Sequence, residues 1–343
     1  MIIHYSQLQT YLICPRKWMY AYWQRIAPDV QRDYFVFGTV FHEVIQYVLV
    51  NGLESEEPWP VSNSITYIDR SGEVQIVENP EAVTREWAQQ WLLSWNMAVG
   101  FTLDNKSVVG TEIEVHVPAD NWMLVGKIDA ILEYPGGQRM IVDHKGCNSL
   151  PSPGYHMHAD LQGSLYCLLA MKNELIETPW FVYHYYKRKV PPKPKLLKDG
   201  KLSTSRNQGT DKIRFFQAVE EYGLDIQDYA DFYASLPDQN MVATFQSQRT
   251  QEQLNEATWT LFKTMDEIIE TTKQLEAIGV EPGVNAPVPN MAGVIRIVRR
   301  DCSTSCIYKS ICEAELMGWD SRPCRERFTV VPERYRLEES EGD

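Results

Sequence analysis

The sequence predicts an α/β fold, and three observations carry that prediction. The first is a pair of apolar runs, residues 124–134 and 138–145, joined by Pro135-Gly136-Gly137, which together read as a β-hairpin. The second is a pair of further strand-like segments, Val108 to Val117 before the hairpin and Trp180 to Tyr186 after it. The third is the set of stretches around them whose apolar residues recur every three or four positions, the period of a helix. At 343 residues the chain is long enough for one elaborated domain or two small ones. An apolar content of 44% with 11% aromatics supports a packed core.

In chain order, Ser6-Gln-Leu-Gln9 has the form of a capping box opening a helix that runs to about Trp23. A loop around 27–34 leads to a second apolar helix from near Gly38 to Leu49. Residues 51–80, rich in acids, Ser, Pro and Asn, read as an irregular insertion. Pro80 then opens a helix in which Trp87, Trp91 and Trp95 form an i, i+4, i+8 stripe, the signature of core packing. The strand at 108–117 alternates, with Glu112 and Glu114 as secondary candidates beside a metal site. Residues 160–175 read as a helix, with Gln162 and Tyr166 on one face. From about 205 to 278 the chain reads as mostly helical and acidic, and Leu254, Leu261, Met265, Ile268 and Leu275 mark a scaffold helix. Glu281 to Asn290 is a proline-stiffened connector, and the acidic end after 332 reads as a disordered tail. The organisation expected is therefore 1–50 (N-terminal helices), 51–107 (insertion), 108–190 (core), 191–280 (basic loop and helices), 281–330 (cysteine region) and 331–343 (tail).

The hairpin carries the chemistry. Asp129 lies in its first strand, and Asp143-His144-Lys145 follows fourteen positions later in the second. Period-2 alternation puts Asp143 and Lys145 on one face and His144 on the other. A carboxylate inside a buried run is costly unless it is paired or metal-bound. Two acids with a lysine at their edge make a cation site, and the amide of Gln162 and phenol of Tyr166 suit a phosphate or base at the rim. Asp-x-Lys alone is more often a hairpin salt bridge; the turn, second acid and helix together favour the functional reading.

The formal net charge is −13, from 33 basic and 46 acidic residues, which argues against a protein that coats nucleic acid. Residues 187–201 reverse that sign with seven basic residues and one acid. Tyr183, Tyr185 and Tyr186 lead into them. Lys187, Arg188, Lys189, Lys193 and Lys195 are candidate nucleic-acid contacts, phosphate-binding cations beside rings on which bases stack; a solvated, proline-stiffened loop is the alternative. No run of about 18 apolar residues is present, and the N-terminus lacks a basic stretch leading into an apolar one. A soluble cytoplasmic protein without a membrane partner is expected. No Gly-x-x-x-x-Gly-Lys-[Ser/Thr] loop is present, so the chain carries no helicase motor of its own.

Seven cysteines in such a chain argue for metal ligation or burial rather than disulfides. Cys302, Cys306 and Cys312 cluster near one end, and Cys14 lies near the other. Thiolates hold iron–sulfur clusters, usually four to a cluster, and zinc is the rival metal. Cys324 is a spare ligand; Cys147 and Cys167 read as core thiols.

Gly126-Lys-Ile-Asp129, Asp143-His-Lys145 and Gln162-x-x-x-Tyr166 resemble the motifs of the PD-(D/E)XK nuclease superfamily, in particular its RecB-like branch with an iron–sulfur cluster. That branch includes CRISPR-associated and recombination exonucleases, and its relatives with a long basic loop of this type include many phage proteins. The resemblance implies a restriction-endonuclease-like core, a central mixed sheet flanked by helices, with helical insertions. It assigns Asp129, Asp143, Lys145, Gln162 and Tyr166 to catalysis. Gly38-x-x-x-His42 resembles the helix that supplies a metal ligand, so His42 joins Asp129, Asp143 and the His144 carbonyl around Mg2+ or Mn2+. It further implies a 4Fe-4S cluster on Cys14, Cys302, Cys306 and Cys312, clasping the two ends of the chain, with zinc as the alternative. The three-residue gap between Cys302 and Cys306, the Asp at 143 instead of Glu, and the lack of a proline before Asp129 depart from the commonest pattern. The implied activity is a DNA exonuclease acting on single strands or single-stranded ends, from the 5′ side, in recombination, repair or phage DNA processing, with a helicase or recombination partner. The alternatives are a catalytically silent DNA-binding subunit, a structure-specific endonuclease and a zinc-clasped adaptor.

Overall fold

The structure, a computed structural model, describes residues 2–28, 33–57, 59, 64–68, 74–78, 80–103, 107–119, 122–152, 154–288, 293–299, 302 and 305–331. The acidic tail and the last two residues of the connector lie outside them. In chain order the elements are β1 (Ile2–His4), α1 (Tyr5–Ile13), α2 (Pro15–Trp18), a π-helical turn (Met19–Trp23), β2 (Ile26–Pro28), α3 (Asp33–Asn51), β3 (Ser64–Ile68), β4 (Val74–Glu78) and α4 (Pro80–Val99). Next come β5 (Val108–Ala119), β6 (Trp122–Tyr134), β7 (Gln138–Cys147), α5 (Tyr155–Ala159), α6 (Leu161–Lys172), β8 (Trp180–Lys187), α7 (Lys212–Glu221) and α8 (Ala230–Ser235). The chain closes with β9 (Val242–Gln248), α9 (Gln251–Ala277), α10 (Lys309–Leu316), α11 (Arg322–Arg325) and β10 (Phe328–Val330). These fall into two compact units, one of residues 1–31, 116–126 and 254–343, the other of residues 32–115 and 127–253.

The second unit is built on a mixed sheet in which β6 and β7 are antiparallel, β7 and β8 parallel, and β8 and β9 antiparallel, with β5 on β6. The β6–β7 turn needs Gly136 (φ 100°) and Gly137 (φ 82°), a left-handed region that side chains resist. β7 and β8 are inner strands, and their runs Met140–Val142 and Phe181–Tyr183 are buried, as strands covered on both faces must be. The tryptophan stripe of α4 packs here, fully buried, and the Trp87 indole donates to the Lys187 carbonyl at 2.9 Å. A satellite core of Leu202, Phe215, Ala218, Val219 and Tyr229 sits under α7 and α8.

Three expectations are corrected. The helix at the N-terminus starts at Tyr5, and its N-cap His4 makes no side-chain cap, so the Ser6–Gln9 box does not form. It breaks at Cys14, whose extended backbone (φ −164°, ψ 109°) precedes Pro15, because a proline disfavours helical geometry in the residue before it. The insertion read as irregular contains the β3–β4 antiparallel pair. The region read as mostly helical contains β9, paired with β8 from Trp180↔Gln248 to Tyr186↔Val242. Both strand sets are short, and their alternation is hidden by polar and acidic surroundings.

In the first unit β1 runs parallel to the head of β6, with Ile3 opposite Leu124, and β2 pairs with β10. The α9 stripe is buried as its periodicity demands. The connector lies along the N-terminal segment: Gly283 N–H donates to the Trp23 carbonyl at 2.8 Å, and the Gln24 amide to that of Ala286 at 2.7 Å. Glu315 on α10 accepts from Tyr20, Arg325 and Arg16, a buried carboxylate compensated by guanidinium groups from both chain ends.

His144 on β7 and His184 on β8 face the tryptophans of α4, joined by a 2.6 Å Nδ1–Nδ1 hydrogen bond, with Trp95 stacked on His184 at 4.2 Å. One ring donates and the other accepts, an arrangement that two neutral imidazoles satisfy. Burial holds both below the ordinary histidine value, His184 at about 3. Between that value and about 6.5 the unfolded chain binds more protons, so this stability is full above pH 6.5 and is lost as pH falls. Thermal stability should therefore fall as pH drops from about 6.5 to 5. His184→Phe, which keeps the stacked ring, should flatten that slope; an unchanged slope would refute the assignment.

Candidate metal and catalytic centre

β6 and β7 bring the two acids together. The ladder pairs Ala130 with Val142, so Asp129 and Asp143 stand one step further along. Asp129 Oδ2 accepts the His144 N–H at 2.8 Å. His42, one of the α3 residues, lies with Nε2 3.1 Å from the His144 carbonyl oxygen. That contact requires Nε2 to carry the proton, which leaves the Nδ1 lone pair 3.9 Å from Asp129 Oδ2 and 4.0 Å from Glu112 Oε1. His42, Glu112 and Asp129 each offer a ligand atom, all within 4.8 Å of one another. The His144 carbonyl, expected to face a metal, accepts from His42.

A lone pair turned toward carboxylates is repulsive unless a cation lies between them. Burial, the Asp143 charge and the Glu112 charge push the Asp129 carboxyl well above the ordinary aspartate value, against the His144 N–H and Lys145. Burial lowers His42, opposed by Glu112 and Asp143. Oxygen-rich ligation with one imidazole suits a hard divalent ion such as Mg2+ or Mn2+. The site residues therefore fit such an ion.

Glu112 reaches the group through a left-handed backbone, φ 51° in the middle of β5, a conformation a non-glycine residue adopts only when its surroundings enforce it. It also pairs with Lys127. The kink interrupts simple alternation, and Glu114, expected on the same face, is exposed.

Asp143, Lys145 and Gln162 form a closed ring. Lys145 Nζ lies 2.6 Å from Asp143 Oδ2 and donates to Gln162 Oε1 at 3.1 Å, while Gln162 Nε2 donates to Asp143 Oδ1 at 2.8 Å. Burial opposes the charge on Lys145, but the Asp143 carboxylate more than offsets it and the lysine pKa is raised. α6 is aimed by its N-cap Asp160, which accepts the Gln162 N–H at 3.2 Å and the Tyr183 hydroxyl at 3.1 Å. Arg249 donates to that hydroxyl from beneath Gly163, where a Cβ would fall 2.2 Å from the guanidinium. Tyr166, one turn on, is buried. Asp160 and Arg249 belong to no motif that the sequence displays.

A family model for the PD-(D/E)XK nuclease superfamily matches residues 4–313. The chain belongs to that superfamily. No curated protein matches it. Among solved structures it is similar to one titled "Crystal structure of SSO0001", at 13% identity over 92% of this chain and 86% of that one, with a TM-score of 0.34. PD-(D/E)XK nucleases use divalent metals, consistent with the donor set above. No helix among the described residues is long and apolar enough to cross a membrane.

Beyond the centre of this PD-(D/E)XK chain, the basic segment is partly tied down. Lys187 donates to Asn240 at 2.6 Å, and Lys193 pairs with Glu221. Arg188 lies against Gly146, next to Lys145 in the chain. Lys189 and Lys195 are exposed.

None of the seven cysteines forms a disulfide. Burial raises the Cys306 thiol, and Cys302 and Cys14 add to that rise. Burial raises Cys312 too, with Cys14 adding and a hydrogen bond from Arg296 opposing. Cys302 Sγ accepts the Arg299 N–H at 3.3 Å. Cys306 is thus within electrostatic range of Cys302 and Cys14, and Cys312 of Cys14, but among the described residues these sulfurs do not gather into a metal-sized group as the cluster expectation requires. Cys167 is buried, and Cys147 and Cys324 are half-buried.

Proposed function

We propose that the chain is a Mg2+- or Mn2+-dependent DNA nuclease, acting as an exonuclease on single strands or single-stranded ends from the 5′ side. The observation that carries this reading is the convergence of His42, Glu112 and Asp129 beside the Asp143–Lys145–Gln162 ring. His42, Glu112, Asp129 and Asp143 would hold the divalent ions, which supply Lewis acidity and acidify water. With its pKa raised, Lys145 stays protonated at neutral pH; it acts as an electrostatic stabiliser of charge growing on the phosphate oxygens, not as a base. Gln162 holds that lysine and Asp143 in register. Water attacks phosphorus as its proton passes to solvent, the P–O bond to the leaving oxygen breaks, and that oxygen takes a proton from solvent to leave as a hydroxyl. Cys14, Cys302, Cys306 and Cys312 would hold a 4Fe-4S cluster, and a helicase or recombination partner would supply the strand.

End-labelled single-stranded DNA tests this with anaerobically purified protein and Mn2+ or Mg2+. Cleavage should appear, fail with Ca2+, and fall about 100- to 1,000-fold in Lys145→Ala. A ladder growing from the 5′ end gives the direction. A DNA-binding protein without cleavage would be the silent subunit instead.

A further inference from the structure

Residues 195–203 form a small hairpin that projects from the second unit. Ser203 N–H donates to the Lys195 carbonyl at 2.8 Å, Leu197 N–H to that of Lys201 at 2.7 Å, and Gly200 N–H to that of Leu197 at 3.0 Å. Leu196 and Leu202 bridge across it, and Gly200 (φ 79°) closes the turn in the left-handed region. Its base is anchored. Leu202 is buried in the satellite core with its N–H on the Tyr229 hydroxyl at 3.0 Å. Arg214 donates to the Pro191 carbonyl at 2.8 Å, and Lys193 pairs with Glu221.

The tip has the opposite character. Leu196 and Leu197 are 45% and 47% exposed, where turn chemistry favours small polar residues. Lys195, Lys198 and Lys201 stand exposed around them, offset by one acid, Asp199. The hairpin follows directly from β8, on which Tyr185 is the register partner of Lys145. By chain length, at most about 35 Å separates Tyr185 from Lys195.

A firmly mounted projection with apolar residues among cations in an acidic chain matches nucleic acid on both counts. Lysines hold phosphates, and leucines are among the side chains that insert between base steps and unstack them. We infer that the 195–203 hairpin is a wedge for the junction between single- and double-stranded DNA, with Leu196 and Leu197 against the last base pair and the lysines on the flanking phosphates. The inference rests on DNA being the substrate and extends that substrate to duplexes with single-stranded ends.

The test is the double variant L196S/L197S, checked for an unchanged melting temperature, on a single-stranded oligonucleotide and on a duplex with a short overhang. Single-strand cleavage should keep its rate, and degradation into the duplex should fall at least about tenfold. Equal rates on both substrates, or an equal fall on both, would overturn the wedge. A second arm needs no cleavage: 2-aminopurine in the last base pair, with Ca2+ present, should brighten when the wild-type protein binds and stay dim with the variant. If that contrast appears without cleavage under Mg2+ or Mn2+, the wedge stands and the nuclease reading falls. No brightening with wild-type protein overturns the wedge itself.

Discussion

Asp129→Asn is expected to abolish metal-dependent cleavage and, at neutral pH without metal, to raise the melting temperature. Both effects have one cause. The Asp129 carboxylate is largely withdrawn from water, with its side chain 17% exposed, and it faces Asp143 and Glu112. Its raised pKa means the folded state binds the proton more tightly than the unfolded chain does. The resulting stability is full below the ordinary aspartate value of about 4 and is lost as pH rises through the folded value. At neutral pH the ionised carboxylate therefore costs stability, about 1.4 kcal/mol per unit of the rise. Asparagine removes that charge while its amide oxygen can still accept the His144 N–H. The same charge is what a divalent ion would use, so cleavage should fall by about 1,000-fold or more. Melting curves with and without Mn2+ check both halves. Mn2+ should stabilise the wild type by neutralising the acids and leave the variant nearly unmoved. A variant that melts lower than the wild type without metal would show that the carboxylate is a structural anchor instead.

How much of this was legible in the sequence follows from the range of each signal. The β6–β7 hairpin, the tryptophan stripe and the α9 stripe were readable because each rests on local periodicity or on a turn that only glycine permits. The pairing of Asp129, Asp143 and Lys145 was readable for the same reason, since a tight hairpin leaves few registers. Glu112 was underrated because its place depends on a left-handed kink in β5, which its neighbours in sequence do not announce. β9 was missed because its stability comes from the β8 edge and not from its own residues. Arg249 and Asp160 act through Tyr183 and the N-terminus of α6, a chain of contacts assembled from three distant segments. Single-sequence periodicity carries no trace of such a chain. The same limit applies to the basic segment, where pairing with Glu221 and Asn240 separates the lysines that anchor the hairpin from those left at its tip.

Under the proposed cluster, Cys312→Ser is expected to abolish metal binding by the cysteines and to lower thermal stability sharply, whereas Cys324→Ser leaves both unchanged. Burial raises the thiols of Cys306 and Cys312, and Cys14 adds to the rise of each. Partly buried thiols resist becoming thiolates unless a cation compensates them, and drawing these sulfurs around one metal would need them to close up, since among the described residues they do not form a metal-sized group. Arg296 donates to Cys312, a contact suited to a sulfur that bears negative charge. Cys324 contributes to neither of these shifts, which makes it the matched control. A metal held between Cys14 and the 302–312 group closes a loop spanning nearly the whole chain. Closure on that scale constrains the unfolded state by on the order of 5 kcal/mol, by analogy with a disulfide. Iron, sulfide and zinc analysis of anaerobic protein, beside its visible spectrum, identifies the metal. Broad absorption with iron and sulfide assigns the 4Fe-4S cluster, and a colourless protein with one zinc assigns the rival. An unchanged metal content and melting temperature in Cys312→Ser would remove this residue from the clasp altogether.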